Sequence, residues 1–115
     1  MKRSVLIIVS SNPRTNGWAA EAVRMAAGLS THGRLAVTLC LRGHALGVLE
    51  ANPEDLVDGD YFEDYLPVLA EAGTIGIVGS PREVRNENFI PLKLQHISEA
   101  GLEKLISSSD RTIRF

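Results

Sequence analysis

Cysteine is almost missing from this chain: Cys40 is the only one in 115 residues. A lone thiol excludes an internal disulfide and a thiolate metal cluster, and it fits a reducing, cytoplasmic setting. No apolar run approaches the ~20 residues that a membrane helix needs. Lysine and arginine are absent between Arg42 and Arg82, an interval that holds Glu50, Glu54, Asp55, Asp58, Asp60, Glu63, Asp64 and Glu71. The plain reading of that stretch is a solvated helix face plus a polar loop. The sharper one is an acidic docking surface for a basic partner or a neighbouring subunit. A net charge of −2 supplies no general attraction to nucleic acid or membrane, so neither is expected as a partner. There is no P-loop, no dinucleotide fingerprint and no Gly-x-Ser-x-Gly elbow. Three histidines lie scattered without ligand spacing, which does not suggest zinc.

What is present is an alternation of strand and helix patterns. The length suits one compact domain spanning residues 1–115, and 44% hydrophobic with 23% charged residues is an ordinary globular balance. The run 5–10 follows Met1-Lys2-Arg3 but is too short for a secretory core and lacks a cleavage site, so it reads as a strand covered on both faces. Turn chemistry at 12–17 leads to a helix over 18–29, with Trp18, Ala22, Met25, Ala26 and Leu29 at helical spacing and Asn16 as cap; Trp18 is expected first in the core, with stacking on a ligand or subunit as the second reading. Gly33 is suited to a left-handed helix end. Residues 35–41 form the second strand, which places Cys40 in the interior. A short helical stretch follows at 45–49. The next helix spans 61–72, with Phe62, Tyr65, Leu66 and Leu69 on one side; Pro67 should kink it or mark a late start. The third strand is 74–80, the polar segment 81–88 is expected on the surface, and 90–96 holds a short fourth strand. Ser98 caps a helix through Ile106, and 110–115 forms a fifth strand with Ile113 and Phe115 on one face.

This order predicts an α/β fold: three α/β/α layers around a mostly parallel sheet of about five strands. Parallel strands deliver the loops after their carboxyl ends to one edge, where ligands usually bind. The resulting shortlist is Asn12, Arg14 and Thr15 from loop one (with Ser10 and Ser11), Arg42 and His44 from loop two, and Ser80, Arg82 and Arg85 from loop three. Loop one is either a capped turn with a solvated arginine or an anion site, since helix amides and a guanidinium both favour phosphate. Its hydroxyls are similar to the phosphate loop of flavodoxins, and a flavodoxin-like module for a nucleotide, flavin or other anion is the alternative reading. Arg14, Arg42, Arg82 and Arg85 together would make a cationic cleft. His44 could act as an acid or base, but no nucleophile accompanies it.

The segments Ser11-Asn12-Pro13-Arg14-Thr15, Ala20 through Leu29, Leu41-Arg42-Gly43, Ala72-Gly73 and Asp110 through Phe115 occur in an order and spacing that resembles the DsrE/DsrF-like (TusD-like) sulfur-relay superfamily. The resemblance spans nearly the whole chain. It implies the same three-layer fold, assembly into dimers, trimers or hexamers, a protein partner of sulfur-relay type and no cofactor. Some members pass a persulfide sulfur through a cysteine that follows the third strand. The matching position here is Gly79, or Val78 with a slip of one. Neither carries sulfur. The expectation is therefore a DsrE-like subunit that binds or docks, with no catalytic residue assigned.

Overall fold

The computed structural model describes residues 2–79 and 94–115. Five strands form one sheet: β1 (Arg3–Val9), β2 (Leu35–Arg42), β3 (Thr74–Val78), β4 (Leu94–Ile97) and β5 (Arg111–Arg114), in the spatial order β4-β3-β2-β1-β5. All four pairings are parallel. The helices are α1 (Trp18–Ser30), α2 (Gly47–Glu50), α3 (Gly59–Ala72) and α4 (Glu99–Ser108), with 3-10 turns at Gly43–Leu46 and Pro53–Asp55.

Alternation along the strands divides the core in two. Val5, Ile7 and Val9 of β1 join Val37, Leu39 and Leu41 of β2 against α1 and α3. Leu6, Ile8 and Cys40 point the other way, with Val78, Ile97 and α4 residue Leu102. The central strands are thus apolar on both faces, as their uninterrupted hydropathy requires. The result is the expected three-layer α/β/α architecture. Among the described residues, no helix is long and apolar enough to cross a membrane.

Several local expectations need correction. Gly33 is not left-handed; among the described residues, positive φ occurs at Asp58, Gly43 and Gly79. The end of α1 is instead closed by backbone amides and side-chain hydroxyls. The Ser30 hydroxyl donates to Ala27 O and the Thr31 hydroxyl to Gly28 O, both at 2.8 Å; Ala27 O also accepts from the Thr31 amide at 3.2 Å, so the carbonyl that a side chain alone satisfies is that of Gly28. Pro67 does not mark a late start, because α3 begins at Gly59 and runs through it. Pro67 and Glu63, whose carbonyl loses its partner, both lie on the exposed face, where water can replace the missing donor. Ser98 does cap α4, accepting from the Gly101 amide at 2.9 Å. The fourth strand includes Ile97, beyond the expected 90–96; residues 90–93 lie outside the described residues, as does the segment 81–88.

The start of β5 is tied to β1 by one residue pair. The Asp110 carboxylate accepts from the Ser4 amide at 2.7 Å and from its hydroxyl at 3.2 Å. The amide bond holds the carboxyl below the usual carboxylate range, and the hydroxyl and the charge of Arg3 act in the same direction. A carboxyl depressed by folding stabilises the fold above its unfolded pKa of about 4, and that contribution disappears as pH falls through the lower folded value. Asp110→Ala should therefore melt below the wild type at neutral pH, and the gap should narrow once the pH drops below about 4. Melting curves across acidic pH check this; a gap independent of pH would assign the loss to something other than the charge.

Candidate functional site

The carboxyl ends of the parallel strands collect loop one (residues 10–17), the turn at Gly43 and His44, the exit of β3 at Gly79 and the start of α4 on one rim. Loop one is built around Asn12. Its side-chain oxygen accepts from the Arg14 amide at 3.0 Å, and its carbonyl oxygen accepts from the Thr15 amide (3.2 Å), the Thr15 hydroxyl (3.3 Å) and the Asn16 amide (3.3 Å). These bonds form a tight Asx-type turn, so Asn12 shapes the loop. Asn16 then receives the Trp18 amide at 3.0 Å, just before the helix. The Pro13 carbonyl accepts from the Val57 amide at 2.9 Å and fastens the loop to the segment ahead of α3. Ser11 keeps its hydroxyl oxygen buried without a hydrogen-bond partner among the described residues.

Arg14 and Thr15 project from this turn and are exposed. Among the described residues the Arg14 guanidinium has no acidic partner, whereas Arg42 is engaged: its Nη2 lies 3.2 Å from Glu99 Oε2 at the start of α4. The expected cationic cleft is thereby reduced, because Glu99 offsets one of its charges. Ser80, Arg82 and Arg85 lie outside the described residues. His44 is exposed, and among the described residues no hydrogen bond joins it to a serine hydroxyl or a carboxylate. The geometry that activates a hydroxyl nucleophile is not assembled around it. His96, which the sequence allows inside or at an interface, is exposed on β4.

The thiol is far from this chemistry in environment, if not in sequence. Cys40 is fully buried among Leu6, Ile8, Val78, Ile97 and Leu102. Burial pushes its pKa up to about 11. At pH 7 such a group is a thiolate roughly one part in 10⁴, and the thiolate is the nucleophilic form. The exit of β3 is equally closed to sulfur. Val78 is buried against α4, and Gly79 has φ +118°, a conformation that L side chains rarely adopt. The Gly79 amide donates to Ile97 O at 3.1 Å, which locks that backbone to β4. A cysteine at this position would need a different chain path.

Trp18 corrects the sequence reading most sharply. It is 61% exposed, not in the core, and its ring stands 6.4 Å from that of Phe115 at an interplanar angle of 48°. Met25, one heptad along the same helix, is also exposed. Sequence spacing places both on one side of α1 but does not show whether another element covers that side. Glu99 is the other rim residue that sequence reasoning missed; it is 57 positions from Arg42 (99 − 42), and no local pattern links the two.

No family model and no curated protein matches the sequence. Comparison with solved structures does find a relative in shape. The ychN protein from E. coli superposes with a TM-score of 0.71 over 100% of both chains, at 17% identity. The chain has a DsrE-like fold. At that identity the likeness establishes architecture alone, and the site must be argued from this chain's own residues. Among those described, no group of three or more histidine, cysteine or acidic side chains is placed to hold a metal ion.

Proposed function

We propose that this protein is a self-assembling DsrE-like subunit of sulfur-relay type that docks partners at its loop rim and does not itself carry sulfur. One observation supports this above the others: the only thiol is sealed beneath α4 with its pKa raised to about 11, while the β3 exit is occupied by a glycine in a conformation unfavourable to cysteine. Sulfur relay by persulfide needs an accessible thiolate. A buried cysteine in an apolar shell behaves as a small hydrophobe.

The test is intact mass after incubation of the folded protein with a low-molecular-weight persulfide donor. No added sulfur is expected on the native protein, and full reaction of Cys40 with a thiol reagent is expected only after denaturation. A stable persulfide on native Cys40 would overturn the reading. A second reading, a small planar anion bound at the rim, draws support from the exposed Trp18 ring and from Arg14, which has no acidic partner among the described residues, on the same loop–helix junction. Titration of Trp18 fluorescence with flavin mononucleotide tests it: quenching that Arg14→Ala abolishes supports the ligand, and an unchanged spectrum disposes of it.

A further inference from the structure

Two helices cannot cover five strands. On the face that carries the larger core, α1 packs over β1 and β2 and α3 over β3, which leaves β5 at the sheet edge without a helix. The register sets Ile113 beside Ile7, so Arg111, Ile113 and Phe115 point to this face, and both Ile113 and Phe115 remain only partly buried. Trp18 at the start of α1 meets Phe115, and Trp18 and Met25 on that helix are exposed at 61% and 40%. The outer edge of β5 is unpaired among the described residues. The Phe115 amide donates to Ile8 O, and its carbonyl accepts from Ser10 N. Residues 111, 113 and 115 therefore turn their backbone groups toward β1, and Thr112 and Arg114 turn theirs outward.

We infer that this edge binds the same edge of a second copy, antiparallel about a two-fold axis through Ile113, joining two sheets into one. This rests on the reading above that the chain assembles with copies of itself, and it names the surface. Three features select the occupant and the register. Backbone parity matches: Thr112 meets the second copy's Arg114 as a hydrogen-bonded pair, twice by symmetry, and Ile113 meets its own counterpart as a non-hydrogen-bonded pair. Charge matches too. No two arginines stand opposite, and Arg111 comes opposite the second copy's Phe115, beside its exposed Trp18, so a guanidinium reaches an aromatic pair. Length decides between the parity-allowed centres. At Asp110 the amide turns back to Ser4 O, so an axis through Thr112 would pair only three residues, 111–113, whereas the axis through Ile113 uses all of 111–115.

Two variants test this in the full chain. Thr112→Pro removes an outward N–H that the β1 ladder does not use, a position where an edge strand tolerates proline; it should halve the mass of the assembly by light scattering without changing the circular dichroism. Ile113→Cys should oxidise to a disulfide-linked dimer of twice the 12.5 kDa chain mass, since Cα atoms of a non-hydrogen-bonded pair lie about 4.5 Å apart, within disulfide reach. Thr112→Cys, offset along the strand, should cross-link far less. An assembly that keeps its mass in Thr112→Pro, or that cross-links better through residue 112 than through 113, overturns this interface and leaves self-assembly to another surface. A wild-type chain that stays monomeric at all concentrations overturns both. Should Thr112→Pro fail to fold, the two cysteine variants decide.

Discussion

Phe62→Ala should cost about 3–5 kcal/mol, the usual range for emptying a fully buried aromatic site. Phe62 is completely inaccessible and heads the largest buried side chains of the molecule. It lies on α3, inside the cluster that joins both long helices to β1, β2 and β3. Its loss leaves a cavity between layers that are each anchored by backbone ladders, so collapse can fill it only in part. Domains of this size have a total stability of about 5–15 kcal/mol, so a fifth or more would go. With an unfolding entropy of about 2.1 cal/mol/K per residue, the melting temperature should fall by roughly 12–20 °C. Val68→Ala on the exposed side of the same helix serves as control, with a change within about 0.5 kcal/mol. Thermal unfolding of the two variants checks the layer assignment. A Phe62→Ala protein that melts with the wild type would mean that α3 does not present this face to the sheet.

Gly59→Ala should be nearly as damaging, for the opposite reason. A Cβ at the first residue of α3 would overlap the carbonyl oxygen of Pro53 and lie 2.5 Å from its carbon. The obstruction is backbone, so no rotamer can relieve it. Either the Pro53–Asp55 turn or the first turn of α3 must shift, and Leu56 between them is buried. The cost expected is about 3 kcal/mol, the upper part of the range for overpacking. Gly28→Ala makes the contrast. Nothing lies within 4 Å of a Cβ there, inside the exposed face of α1, and the helix should gain about 0.5–1 kcal/mol. Two glycine-to-alanine changes should thus move the melting temperature in opposite directions. Equal and small effects would contradict the close approach at Pro53.

The same helix order that made the fold legible hid parts of the rim. Runs such as Val5 through Val9 and Leu35 through Leu41 have the length and β-branched content of covered strands, and their alternation with helical periods implied parallel crossovers. The interior position of Cys40 followed from the same run. Trp18 was misread because helical spacing reports that it shares a side with Met25 and says nothing about what lies beyond that side. Their exposure follows from counting layers: β5 extends the sheet past the last helix on that face. Gly33 was misread because glycine permits a left-handed end without requiring one, and the Thr31 and His32 amides with the Ser30 and Thr31 hydroxyls satisfy the last carbonyls without it. Arg42 looked like a free cation until folding brought Glu99 within 3.2 Å.

The pattern of apolar runs and helical periods determined, without coordinates, an α/β/α domain whose one cysteine lies inside a strand. Local hydropathy is enough for that, because each element must bury its own apolar face. Folding alone decided which charges meet, which aromatic pair faces water and which strand edge is left open. Those outcomes depend on how many helices fall on each side of the sheet and on contacts between residues far apart in the chain, and no local period encodes either.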